Sequence, residues 1–277
     1  MNIKRMLLIS RPIFWFLTGS FYLLGVYNFS NFSWLSILEF LFFLFTLNFY
    51  LYGLNDIYDI KSDQLNKRKG GIQGAILNKS EIVYLKKIIY ILPLLFIILA
   101  SFSMKLEHIL LSLLFIIAAF IYSHPLFRFK EIPLLDTMTS AMVYTSPAFI
   151  AFSLHNSIFN IPKFYFLLIL PLMGIHALTT LKDAAYDTKA GIKTIGVFLG
   201  KNLTILFMLL TFIIPFLFFL HNPYITIVLT IAIILGIILV VINDSDFKEM
   251  LFPSCVTLLI LVVMSNLYFI VIANFYS

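Results

Sequence analysis

Two stretches of this chain place acids at helical spacing and follow them with bases. The first reads GLNDIYDIKSDQLNKRKGG from Gly53, the second HALTTLKDAAYDTKAGIKTIGVFLG from His176. At about 100° per residue, Asp56, Asp59 and Asp63 fall within about 60° of one another and form one acidic stripe. Asp183 and Asp187 are one turn apart, and His176 lies two turns before Asp183 on the same face. Carboxylates that converge without matched cations repel one another, and a divalent cation removes the conflict. Mg²⁺ takes hard oxygen ligands and is typically held by one or two carboxylates together with substrate phosphates. The two stripes therefore suit Mg²⁺ ions gripping a diphosphate. Lys67, Arg68 and Lys69 follow the first stripe, and Lys189 and Lys193 follow the second, as counter-charges for phosphate oxygens beyond the metal's reach. The competing interpretation, solvated loop acids paired with nearby lysines, suits Asp244, Asp246 and Glu249 better, since no basic run follows them.

The elements that must carry these residues are set by composition. Of 277 residues, 61% are hydrophobic and only 12% charged, with a mean hydropathy of +1.02. A soluble domain carries about 25% charged residues, so soluble and disordered chains are both excluded. A spanning helix needs about 20 apolar residues. Nine stretches qualify, near 12–29, 34–54, 83–103, 106–123, 134–154, 163–182, 203–220, 223–243 and 251–275. The expected fold is an all-α polytopic bundle of nine transmembrane helices forming one domain over residues 1–277. Alternating sides put 17 of the 19 Lys and Arg residues on one face of the membrane, leaving Lys105 and Lys163 on the other. This asymmetry predicts a cytoplasmic N-terminus, an outside C-terminus and both acidic clusters at the cytoplasmic mouth, in a multi-pass plasma-membrane protein. The basic excess is then topological, with no nucleic-acid partner implied. The basic start MNIKRMLLISRP lacks a small-residue cleavage site and reads as a retained first helix. The single Cys255 excludes an intrachain disulfide and an iron–sulfur cluster.

With those elements in place, the motifs resemble a known family. NDIYDIKSD, from Asn55 to Asp63, resembles the N-D-x-x-D-x-x-x-D signature of the UbiA superfamily of intramembrane prenyltransferases, and DAAYD resembles its second aspartate-rich motif. YSHPLFRFKEIPLLD resembles the family's Tyr-Ser-x-Pro segment, and SRP at Ser10–Pro12 its first-helix entry. The resemblance covers nearly the whole chain and implies transfer of an isoprenyl group from an isoprenyl diphosphate donor to an acceptor. It implies that Asn55, Asp56, Asp59, Asp63, Asp183 and Asp187 hold Mg²⁺ on the diphosphate, with Asp56, Asp59, Asp183 and Asp187 central to catalysis. Substrate contacts are expected from Asn55, Lys67, Arg68, Lys189 and Lys193, and an allylic cation would be met by Tyr58 and Tyr186, one inside each motif. Arg11 either meets phosphate or acceptor or anchors the helix at the headgroups. Arg128 and Lys130 match the family's basic loop residues or are structural. His176 either touches the acceptor or bonds a neighbouring group, and Asn48 either lines the same cavity or packs the bundle.

SRPIFWF, LYGLNDIYDIKSDQLNKRKGG and YDTKAGIKTIGVFLG are most similar to the carotenoid branch of that superfamily, the lycopene elongases. That likeness implies an apolar polyene acceptor; an aromatic quinone precursor or a lipid acceptor is the alternative. A membrane transporter is the non-enzyme alternative, but its acids should lie near midplane on broken helices, whereas these lie at helix ends beside basic loops.

Overall fold

The computed structural model describes residues 1–26, 32–60 and 75–220, with seven further positions between 226 and 238. Among these residues every regular element is helical. In chain order they are α1 (Ile3–Ser10), α2 (Trp15–Gly25), α3 (Trp34–Tyr58), α4 (Lys79–Ser101), α5 (Leu106–Ser123), α6 (Leu135–His155), α7 (Lys163–Leu167), α8 (Ile169–Ala190) and α9 (Ile195–Phe218). Five stretches among the described residues are long and apolar enough to cross a membrane: α3, α4, α5, Lys163–Leu181 and α9. The pair α1 and α2, bent by 65°, would make a sixth. The bend lies at Arg11–Pro12, because proline has no N–H to continue the helix.

The stretch expected at 134–154 is helical as α6, yet it is more polar than the five. Asp136, Thr137, Thr139, Ser140, Thr145 and Ser153 along it are all buried. Polar side chains in an apolar interior need partners: Thr137 and Ser153 donate to Leu134 O and Ile150 O of the chain just before them, and Ser140 bonds His176. The two spans expected at 223–243 and 251–275 lie outside the described residues apart from the scattered helical positions.

The chain divides into two compact units. Among the described residues, one holds Met1–Phe129 and Val143–Ile161; the other holds Lys130–Met142 and those from Pro162 onward. The first packs around Phe43, Phe96 and Phe115, whose rings meet edge to face at 5.3–6.3 Å. α3 carries a π-helical turn over Phe42–Thr46, which frees carbonyls from the regular ladder. Asn48 and Thr18 take them up: Thr18 Oγ1 donates to Phe43 O at 2.7 Å and Asn48 Nδ2 to Leu44 O at 3.1 Å. Asn48 therefore packs the bundle.

A buried polar network lies toward the start of α3. Glu39 Oε1 is 2.8 Å from His108 Nε2, and Glu39 Oε2 accepts the Tyr22 hydroxyl at 2.9 Å. Ser153 donates its hydroxyl hydrogen to Ile150 O, so His108 Nδ1 is the donor toward Ser153 Oγ at 3.0 Å. One shared proton between Glu39 and Nε2 leaves the pair neutral overall, which is how an acid is tolerated at this depth. The second unit is held by the close approach of α8 and α9. A Cβ at Gly174 would run into Thr211 Oγ1, and one at Gly196 into Thr180 Oγ1.

Replacing His108 by Leu strands the Glu39 carboxylate and should lower stability by about 3–5 kcal/mol. The double substitution Glu39→Leu/His108→Leu should recover much of that loss. Thermal unfolding in detergent measures both, and an unchanged midpoint for His108→Leu would contradict the pairing.

Candidate active site

The first motif occupies the C-terminal turn of α3. Asp56 is fully buried there, and each of its oxygens has a partner: Oδ1 accepts Arg11 Nη2 at 2.9 Å, and Oδ2 accepts the Ala75 N–H at 3.3 Å. Arg11 reaches it from the end of α1 with φ 48° and ψ 76°. Its guanidinium also lies 4.2 Å over the Tyr52 ring, one turn before Asp56, and the Tyr52 hydroxyl bonds that of Tyr144. Phe14 closes this aromatic group at 5.4 Å from Tyr52. The segment that supplies Ala75 is itself tied down. Arg5 bonds Glu81 at 2.7 and 3.1 Å and the Ile76 carbonyl at 2.5 Å, while Glu81 completes a capping box with Asn78 at the start of α4.

Asp59 sits beyond the helix. α3 ends at Tyr58, and Asp59 is its C-cap at φ −101°, ψ 11°, with its N–H donated to Asn55 O at 2.9 Å. The expected stripe is corrected at Asp59, which has left the helix of Asp56 and entered the bridge region of backbone space. Arg128 Nη2 lies 3.5 Å from Asp59 Oδ1. Arg128 has φ 46°, and its N–H closes the turn after α5 on His124 O at 2.9 Å. Absence of matched cations was the premise of the sequence argument, and it is also corrected, since Asp56 and Asp59 each face a guanidinium. Both arginines are among the four non-glycine residues with positive φ in the described structure. A left-handed residue of this kind costs about 1–2 kcal/mol, and such strain collects where side-chain aim matters.

Tyr58 points elsewhere. Its hydroxyl meets that of Tyr90 at 2.5 Å, and its ring packs edge-on against His124 at 5.2 Å with Lys86 Nζ 5.9 Å from the ring centre. Asn55 is half-buried on the same last turn.

The second motif occupies the C-terminal turns of α8, where Asp183, Tyr186 and Asp187 are half-buried. Gly191 ends the helix in the left-handed region at φ 75°, and the Ile192 N–H returns to Asp187 O at 2.9 Å. That closure reverses the chain, so Thr194 Oγ1 comes back to within 3.3 Å of Asp187 Oδ2. Lys189 and Lys193 are exposed beside the turn. His176 bonds Ser140 Oγ through Nδ1 at 3.1 Å, and Lys130 is buried. Asp63, Lys67, Arg68 and Lys69 lie outside the described residues.

The donors at both motifs are carboxylate and amide oxygens, the hard set that Mg²⁺ prefers. Among the described residues, no three acidic, His or Cys side chains already converge on one point. The fit is one of donor chemistry and of charge: the buried Asp56 carboxylate is built to face a cation. Tyr52, Tyr144, Arg5 with Glu81, and Thr194 were not anticipated. Tyr52 was marked only by standing one turn before Asp56, and Thr194 only by its place at the start of α9.

Residues 12–249 match the model of the UbiA prenyltransferase family. The chain belongs to that family. Its similarity to a lycopene elongase/hydratase of Corynebacterium glutamicum is 38% identity over 152 residues, 54% of this chain and 52% of the relative. A C(50) beta-cyclic carotenoids biosynthesis protein of Dietzia sp. is 28% identical over 209 residues, 74% of this chain and 48% of that protein. The matched region thus spans about half the length of these curated UbiA relatives. Among solved structures, a UbiA homolog from Archaeoglobus fulgidus bound to DMAPP and Mg²⁺ superposes with a TM-score of 0.67 at 18% identity, covering 96% of this chain and 99% of that one. A structure described for digeranylgeranylglyceryl phosphate synthase in membranes gives 0.70 at 16% identity, covering 99% of both chains. At these identities the likeness establishes a shared UbiA fold.

Arg11→Gln should uncover the buried Asp56 charge and lower stability by about 3 kcal/mol. In the double variant Arg11→Gln/Asp56→Asn no charge is left buried, and most of the loss should return. Unfolding midpoints of the four proteins in a double-mutant cycle give the coupling; additive losses would rule out a direct pair.

Proposed function

We propose that this protein is a Mg²⁺-dependent prenyltransferase that moves an isoprenyl group from an isoprenyl diphosphate to an apolar acceptor of the carotenoid class, within the membrane. The observation that carries the reading is the buried Asp56 carboxylate at the end of α3, held by Arg11 and the Ala75 N–H inside a family-matched D-x-x-D motif. Support for the metal and donor comes from the DMAPP- and Mg²⁺-bound homolog of the same fold, and for the acceptor from the lycopene elongase/hydratase relatives. The fuller architecture belongs to the same proposal: one domain of nine spans in the plasma membrane, N-terminus and site facing the cytoplasm, C-terminus outside.

Asn55, Asp56, Asp59, Asp63, Asp183 and Asp187 would hold Mg²⁺, which when bound neutralises charge developing on the departing diphosphate. Arg11 and Arg128 stand on the two carboxylates of the first motif, within reach of phosphate oxygens once those carboxylates face a metal. Lys67, Arg68, Lys189 and Lys193 add positive charge around the same group. The donor's C–O bond breaks, a C–C bond forms to an acceptor alkene carbon, and the acceptor then loses a proton. The Tyr52–Tyr144–Phe14 group offers aromatic faces beside Asp56, and Tyr186 offers one in the second motif, to stabilise the allylic cation. Apolar walls exclude the water that would otherwise capture it.

Co-expression with a lycopene-producing pathway should give prenylated lycopene. Asp56→Ala and Asp187→Ala should each cut transfer in Mg²⁺-supplied membranes by more than about 100-fold, beyond the range of outer-sphere changes. Unchanged lycopene alongside prenylation of a quinone precursor or a lipid would remove the carotenoid acceptor and leave prenyl transfer standing. Full activity in both alanine variants would contradict the metal–diphosphate reading.

A further inference from the structure

Thr194 is the N-cap residue of α9, with φ −67° and ψ 167°. A threonine there ordinarily accepts the backbone N–H of the second or third helical residue with its hydroxyl. This one makes no such bond; its hydroxyl donates to Asp187 Oδ2 at 3.3 Å instead. The first N–H groups of α9 are met by side chains of other helices. Asp136, fully buried in the first turn of α6, accepts the Ile195 N–H on Oδ2 and the Thr137 N–H on Oδ1, both at 2.6 Å. The next residue is pinned as well, since the Gly196 N–H donates to Thr180 Oγ1 at 3.0 Å. Two flanking bonds thus fix the backbone from which the Thr194 hydroxyl reaches back, and Thr194 is itself buried.

We infer that Thr194 is a positioning residue for Asp187: its hydroxyl orients the carboxylate for a divalent cation, while Asp136 and Thr180 meet the first two N–H groups of α9. The inference rests on Asp187 being a metal ligand. A hydrogen bond to one carboxylate oxygen restricts the rotation of the group and leaves the remaining lone pairs directed at the metal, which is how outer-sphere donors tune ligands. Had the hydroxyl served only to start α9, it would lie on the helix's own N–H groups, of which the second, that of Gly196, is held by Thr180 instead.

Thr194→Val keeps the side chain's volume and removes the donor, while Thr194→Ser keeps the donor. In Mn²⁺ electron paramagnetic resonance titrations with inorganic diphosphate, Thr194→Val should bind Mn²⁺ about tenfold more weakly, and Thr194→Ser should match the parent. The Mg²⁺ concentration for half-maximal prenyl transfer should rise by the same factor in Thr194→Val, with smaller change in the rate at saturating Mg²⁺. Unfolding midpoints report whether each variant is folded, and Thr194→Ala replaces Thr194→Val in the same titration if the valine variant is not. Parent-like Mn²⁺ affinity in the donor-less variant, or equal loss in the serine variant, overturns the inference. Asp187→Asn separates the two levels. If it binds Mn²⁺ like the parent, the metal-ligand reading fails; if it loses Mn²⁺ while Thr194→Val does not, only the role of Thr194 fails.

Discussion

A carboxylate buried in a lipid-embedded helix bundle must have its charge answered on the spot, because neither water nor lipid will do it. Asp56 is the clearest case. Its two oxygens are met by a guanidinium from the end of α1 and by a backbone N–H from the segment before α4. Much of the local architecture serves that arrangement. The bend at Pro12 turns α1 away from α2, Arg11 takes a left-handed backbone to aim its side chain, and Arg5 with Glu81 anchors the segment that presents Ala75. The guanidinium gives the buried carboxylate a fixed counter-charge.

The same rule accounts for polar groups with no part in the chemistry. Glu39, fully buried, shares a proton with His108 and accepts from Tyr22, so an acid many residues from either motif is neutralised by its own partners. The π-helical turn in α3 opens carbonyls that Asn48 and Thr18 close. In the second unit Asp136 accepts two backbone N–H groups, and the hydroxyl of Thr194 donates to Asp187. Where a buried polar group has a partner here, whether that partner is structural or catalytic follows from what it touches.

Much was legible in the residues alone. Apolar runs placed some helices closely, Leu106–Ser123 at its expected ends and Leu135–His155 within a residue of them. However, α9 begins at Ile195 where 203 was expected, and the first span, expected at 12–29, is the bent pair α1 and α2 starting at Ile3. The aspartate spacing marked the two helix ends on which the motifs lie. Other features were not legible, for physical reasons. The break at Asp59 depends on a backbone conformation that many residue types adopt, and no local signal announced it. Arg11 lies 45 positions from Asp56 and Arg128 lies 69 from Asp59, so the cations that match those acids are invisible to any reading of neighbouring residues. Tyr58 stood inside the motif, but its rotation about α3 sends it to Tyr90 and His124.

Hydropathy and spacing by themselves determined that this chain is helical, belongs in a membrane and carries acidic residues at the ends of two helices. Those properties are local, since they follow from how many apolar residues occur in a row and how many degrees separate successive side chains. Tertiary structure alone decided which charge answers which, that the first N–H groups of α9 are met by Asp136 and Thr180, and that the hydroxyl of Thr194 returns to Asp187. Such pairings depend on contacts between distant segments, and only the folded backbone brings those segments to hydrogen-bonding distance.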